Sequence, residues 1–375
     1  MKRVVITGLA AITAAGTGAP SVRDALARGR PLGDEEEIEL PRTASGRSRG
    51  GTRGPVRVAR ITSFNPGAIL KRGALRRLSP EGQLGTSVFV LASRDAECES
   101  RSVLPERVGT FLGSGFGSIT TTIEYLSGLY RDGMAGASPT LFAESLASAP
   151  LGHAAIDLDA RGPSMTLTCG DASMIAVLDA GWRAIRSGRI DRAICATYEV
   201  MPPMLVALLA RLAAVEDREV HIGEGAAAIV LESDEVARAS GARIYAELTG
   251  VGQAADPRAR PTDWSHDAGA WSAARDRALR HAGRPELRVD ACFRHGPPSA
   301  RAARAEGRSI EEFLGVRGRA EVLGVHHVFG SYAAAGGLSI VAAALRASGR
   351  EGLAVVSAGS WGGATGAAVI SGAGE

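Results

Sequence analysis

GPSMTLTCGDASMIAVLDAGWRAIRSG, residues 162–188, contains the unit from which the chain is built. Residues 164–168 form a short apolar run that reads as a strand, and 172–187 a helix-length amphipathic segment closed by Gly188. Asp171 stands at the helix start, where a carboxylate can cap the first turn by accepting from the amides of Ser173 or Met174. Cys169, two residues earlier, ends the strand and reads as a packing residue.

Working outward, the same alternation of strand and helix recurs. Strands are expected at 3–7, 107–112, 164–168, 192–196 and 226–231, then at 243–248, 291–294, 321–325, 353–357 and 366–371. Helices are expected at 118–130, 172–187, 268–281 and 334–347, so the fold class is α/β with packed layers. Both series end in a strand, a loop and a glycine-started strand, through GEGAAAIVLES (223–233) and GSWGGATGAAVI (359–370). That suggests two similar halves, 1–235 and 236–375, dividing near 233–241. Residues 33–80 break the pattern, being rich in charge, glycine and arginine without periodicity, and read as an irregular surface excursion.

Composition excludes several classes. The chain has 375 residues, 45% hydrophobic and 22% charged, with a net charge of +3 too small to argue for nucleic acid. Four cysteines, Cys98, Cys169, Cys195 and Cys292, lie far apart with no CxxC spacing, so neither a disulfide framework nor a zinc site is expected. No apolar run reaches the length of a membrane span, and the opening MKRVVITG reads as a first strand; a cytoplasmic location is expected. LGSGFGS (112–118) lacks the lysine of a phosphate loop, and no cofactor or metal is expected.

An ordered set of segments resembles the elongating β-ketoacyl synthases of the thiolase superfamily. It comprises RVVITGLAAITAAG (3–16), VGTFLGSGFGSITTTIEYLSGLYRDG (108–133), ASPTLFAESLASAPLGHAAIDLDARGPS (137–164), ARIYAELTGVG (242–252) and HGPPSARAARAEGRSIEEFLG (295–315), besides the two glycine-started strands. The resemblance implies a thiolase-like fold, a duplicated αβαβα arrangement that dimerises. Active members place a cysteine at the N-terminus of a buried helix, where the free amides and helix dipole favour its thiolate. Counted from Gly162–Ser164 and from Gly188, that position falls on Asp171, and an aspartate is a poor acyl acceptor. The first family histidine matches His295, followed by Pro297 and Pro298. In HHVFGS (326–331) the family's lysine falls on His326 and its second histidine on Ser331. Trp361 takes the place of the phenylalanine that gates the acyl pocket, either as a plug or as a core or interface residue.

The resemblance therefore implies a degenerate ketosynthase, similar to a chain-length factor. No catalytic residue is expected; Asp171, His295, His326 and Ser331 are the altered or surviving positions. Its partners would be an active ketosynthase, in a heterodimer that shapes the polyketide or polyene tunnel, and an acyl carrier protein; a homodimer is the alternative. Arg42, Arg47, Arg49, Arg53, Arg57 and Arg60 are either a solvated loop or a landing site for that acidic carrier. The competing function is an enzyme with altered chemistry (hydrolase, cyclase or acyltransferase) using Asp171 and His295, since an Asp–His pair can make a general base and two histidines with a carboxylate can hold a metal.

Overall fold

The computed structural model describes residues 1–38, 54–101, 103–214, 221–283, 288–331 and 335–372. Among these residues the main sheet has eleven strands, ten of them on its path: β1 (Val4–Thr13), β2 (Val108–Gly113), β3 (Ser164–Leu167), β4 (Arg192–Glu199), β5 (Gly225–Ser233), β6 (Ala246–Ala255), β7 (Ala291–Arg294), β8 (Glu321–Gly324), β9 (Leu353–Gly359) and β10 (Ala364–Ser371). Each expected strand is present, several of them longer than their apolar cores. Their spatial order is β8-β7-β9-β10-β6-β1-β5-β4-β2-β3, with a two-residue strand, Gly16–Thr17, folded back on β1. Read from the centre outward, each side runs through first, fifth, fourth, second and third strand of its series. Directions repeat as well: β2 is parallel to β3 and β4, β7 is parallel to β8 and β9, and every other pairing on the main path is antiparallel.

The apolar runs follow from burial on both faces. On one face of the first five strands Ile12, Leu112, Ile194 and Tyr198 pack against Leu84, Val88 and Phe89 of the helix Pro80–Asp95. On the opposite face Leu9, Phe111, Cys195 and Ile229 meet Ile175 and Leu178 of the helix Ser173–Arg186. In the second series Val355 and Val369 meet Ala274 and Ala278 of the helix Ala268–His281, while Val356 and Ile370 belong to the central cluster with Leu338 and Val341 of the helix Ala335–Ala347. The two central helices thus lie between sheet faces, giving the layers α-β-α-β-α. Fully burying one such Leu or Ile contributes about 1.5–3 kcal/mol.

Glycine is required where the two central helices converge. A Cβ on Gly337 would lie 2.7 Å from Ala227 Cβ, 2.8 Å from Thr197 Oγ1 and 2.9 Å from Met174 Cε, and one on Gly336 would lie 3.0 Å from the Asp171 carbonyl oxygen.

The reading of 33–80 as irregular is corrected. Asp34–Ile38 and Gly54–Ala59 pair antiparallel, and the latter pairs in parallel with His221–Gly223 to make a separate three-stranded sheet. Charge hid these strands, because DEEEI presents an exposed or half-buried face throughout. Arg57 and Arg60 hold the sheet: Arg57 pairs with Glu35 (3.1 Å), and Arg60 with Glu36 (2.6 Å) and Glu224 (3.3 Å). Both are engaged within the fold, against their reading as a free landing site; Arg42, Arg47, Arg49 and Arg53 lie outside the described residues. So does the contracted stretch 215–220.

One buried charge cluster ties β4 and β5 to the chain around residue 100. Glu232, 0% exposed, accepts from Arg192 Nε (2.7 Å) and Arg101 Nη1 (2.8 Å), and those arginines are themselves 4% and 6% exposed. Glu232→Ala would strand two buried guanidiniums, so it is expected to cost about 3–5 kcal/mol, read as a lowered urea midpoint. A loss under about 1 kcal/mol would show that the arginines find solvent or other acceptors.

Candidate active site

β3 ends at Leu167, and the chain turns through Cys169 and Gly170 into the short 3-10 turn Gly170–Ala172 before the helix Ser173–Arg186. The expectation that Asp171 caps this helix is corrected: the cap position is Ala172, and no side chain bonds the first-turn amides there. The Asp171 carboxyl lies instead beside His295. Ser173 secures the turn instead, accepting from the Cys169 amide (2.9 Å) and donating to the Ser114 carbonyl (3.1 Å). Burial pushes the Cys169 thiol up, away from the thiolate a nucleophile needs.

His295 follows directly on β7. Its amide and that of Gly296 donate to the fully buried Glu306 carboxylate, at 2.6 and 3.0 Å, so a side chain on the helix Ala300–Arg317 clamps the loop. Gly296 has φ of 69°, and a Cβ there would run into the His326 ring, so this position requires glycine twice over. The His295 ring stacks on Trp264 at 5.3 Å and faces Trp271 at 6.4 Å. Trp264 in turn meets Trp361 edge-on at 6.2 Å, and Trp361 packs on Phe116 at 5.0 Å. Trp361 is therefore a half-buried member of an aromatic chain that starts at His295.

Asp171 Oδ2 lies 3.5 Å from His295 Nε2, beyond a well-formed hydrogen bond, with side chains 6% and 2% exposed. Neither of those atoms, nor His295 Nδ1, has a hydrogen-bond partner among the described residues. Burial disfavours the charged form of both partners. Burial raises the Asp171 carboxyl from 3.8 to about 7. Burial, then the nearby His326 and Arg294, lowers the His295 imidazole from 6.5 to about 3. Both shifts favour the neutral forms, as expected when desolvation outweighs attraction.

His326 thus belongs to the same cluster, through Gly296 and its field at His295. Ser331 is held by its backbone, donating to the His221 carbonyl (2.9 Å) and accepting from the Gly223 amide (3.1 Å), which anchors the small sheet. His327 is exposed beside His326, its imidazole lowered by partial burial and by Arg294.

The family description "Beta-ketoacyl synthase, N-terminal domain" matches residues 1–237. The chain belongs to the β-ketoacyl synthase family. It is 24% identical over 337 residues to 3-oxoacyl-(acyl-carrier-protein) synthase 2 of Coxiella burnetii, covering 84% of this chain and 78% of that protein. Its fold matches the ishigamide ketosynthase/chain length factor with a TM-score of 0.82 at 23% identity, over the whole of both chains. It matches equally a type II polyketide synthase ketosynthase, bound to the hexaketide and solved in complex with its acyl-carrier protein, at a TM-score of 0.83, 19% identity and coverage of 99% and 100%. At these identities the solved structures show the fold, which is thiolase-like.

In this β-ketoacyl synthase relative, two parts of the site had no local signal in the sequence. Glu199, at the end of β4, accepts from the Gly115 amide (2.6 Å), the Phe116 amide (3.1 Å) and Ser114 Oγ (3.2 Å), and burial still pushes it up to about 8. Trp264 and Trp271 come from a polar loop and a helix with no apolar stripe to mark them. Beside Asp171 and Glu199 lies a cavity of about 10 Å³, room for at most one water.

The pH dependence of stability tests the neutral pair. With a folded pKa of about 7 against 3.8 unfolded, Asp171 keeps its proton in the folded state while the unfolded chain has lost it, so stability falls as pH rises between those values. His295, shifted down, makes stability rise with pH between about 3 and 6.5. Asp171→Asn removes only the first effect. Its urea stability relative to the parent is expected to grow by about 2–3 kcal/mol between pH 5 and pH 8. Parallel curves for the two proteins would mean that Asp171 is ionised throughout.

Proposed function

We propose that this chain is a non-condensing, chain-length-factor-like subunit that pairs with an active ketosynthase and shapes the acyl tunnel during carrier-protein-dependent elongation. The observation that carries this reading is the carboxyl of Asp171 in the turn where the family's thiolate is expected, buried against a neutral histidine. A thiolate at that point would draw on the free amides of the helix; a carboxyl is a poor acyl acceptor, and an acyl-aspartyl anhydride would be prone to hydrolysis. His326 and Ser331 stand where the family has a lysine and a histidine, so the groups that stabilise the enolate oxygen are altered as well. Trp361 would act as the gate, closing the pocket through its packing on Phe116 and Trp264. Residues 1–235 and 236–375 would be the two halves, a division that the repeated strand order supports. The acyl carrier protein enters as partner by likeness to the solved ketosynthase complex.

Co-expression with the intact ketosynthase encoded nearest in its genome tests the proposal. A one-to-one heterodimer by native mass, making product only when both chains are present, is expected. A homodimer that ignores the ketosynthase would sink it. Asp171→Cys in the isolated chain is expected to stay inactive in condensation, because the change restores the nucleophile without the lysine and second histidine. Product from that single variant would show that the rest of the machinery is intact.

The 3.5 Å approach of Asp171 to His295 favours a second reading, acid–base chemistry on an acyl thioester. In that case the purified chain alone would turn over acyl thioesters, and Asp171→Asn would abolish the turnover.

A further inference from the structure

Away from this site, a surface groove of about 470 Å³ lies at the β8 end of the main sheet. β8 and β3 are the two extremes of the ten-strand path, nine strand spacings of about 4.8 Å apart along the sheet. A partner docked along β3 therefore leaves this groove open. Three parts of the fold meet there: the helix Ala19–Arg28, the C-terminal end of the helix Ala335–Ala347, and the ends of β7 and β8. The volume lies within the range of small-molecule sites, about 300–1,000 Å³.

The floor is the rim of the central core. Phe293 and Ala342 are buried beneath it, whereas Leu26, Leu323 and Leu345 pack on that core and remain half-buried. Covering their outer surfaces with a hydrocarbon is favourable. The walls are fixed by the backbone. Gly29 closes the helix Ala19–Arg28 at φ of 64°, and the Leu32 amide beyond it donates to the Val328 carbonyl (2.8 Å). Arg346, at the end of the other helix, is tied to Glu321 of β8 at 2.7 Å.

Charge on the rim comes to a single unit. No acidic side chain lines the groove, and it has three arginines. Arg346 is paired with Glu321 and Arg23 with Asp24 (3.0 Å), while among the described residues Arg350 has no carboxylate partner. Ser348 and His327 complete the rim. Partial burial, then Arg294, lowers the His327 imidazole, which makes it a neutral hydrogen-bond donor. One uncompensated guanidinium beside two neutral donors suits the two oxygens of a carboxylate; a dianion would keep one charge unmatched.

We infer that this groove binds a free medium-chain carboxylate, its head at Arg350 and its chain along Leu26, Leu323 and Leu345. The assignment is independent of the partner-subunit reading. It places the ligand behind the Asp171–His295 site, because Phe293 stands two residues before His295 and Val325 directly before His326. The bound chain packs against the strand ends from which both histidine loops leave.

Isothermal titration of the full-length chain with octanoate, kept below its micellar range, tests the assignment. One saturable site is expected, weakening with added salt. Octanoate should bind about tenfold more tightly than hexanoate, since two more methylenes are covered. Octanol, which lacks the charge, should bind about fivefold or more weakly than octanoate. Arg350→Glu is expected to raise Kd about tenfold or more. Arg288→Glu, at an exposed position outside the groove, should leave Kd within about twofold. Absence of saturable binding, or equal Kd for octanol and octanoate, overturns the assignment. If Arg350→Glu leaves Kd unchanged while Trp361→Ala alters it, the carboxylate occupies the pocket near Asp171; the assignment is then wrong although the partner-subunit reading stands.

Discussion

The two central helices come so close that Gly336 and Gly337 cannot carry a side chain without striking Asp171, Ala227, Thr197 or Met174. That contact fixes the start of the first central helix, and with it the turn holding Asp171. It also sets how near β5 and β4 lie to the second half. The His295 loop reaches the same point from the other side, held by Glu306. A cluster made by both halves therefore depends on a packing distance that only glycine permits.

Within that cluster, desolvation exceeds every attraction. A carboxyl and an imidazole 3.5 Å apart would pair as ions in a wetter place; here each is driven to its neutral form, and stacked indoles replace solvent around the ring. Glu199 follows the same rule despite three donors.

Much of the fold was legible in the sequence because burial on both faces turns each main-sheet strand into a continuous apolar run, as in VVITG and GAAAIVLES. The helix Pro80–Asp95 was hidden by its glycines, Thr86 and Val88, which suit close packing against strands better than they advertise a helix. Asp34–Ile38 was hidden by charge. At the site, motif spacing pointed to Asp171 and His295, and the fold brings the two within 3.5 Å of each other. The capping role assigned to Asp171 failed because the chain enters the helix through a 3-10 turn, Gly170–Ala172, that has no local signature. Trp264, Trp271 and Glu199 reach the cluster through long-range packing, which spacing along the chain does not encode.

The strand order also constrains how the chain is made. β1 lies at the centre of the sheet, between β5 and β6, so neither main neighbour exists until roughly 220 residues after it have been synthesised. At ribosomal rates of about 5–20 residues per second, the apolar segment VVITGLAAIT waits roughly 10–45 s with both edges open. During that interval it is a target for chaperones and for mispairing. The innermost strand of the finished protein is thus the one longest exposed while the protein is being born.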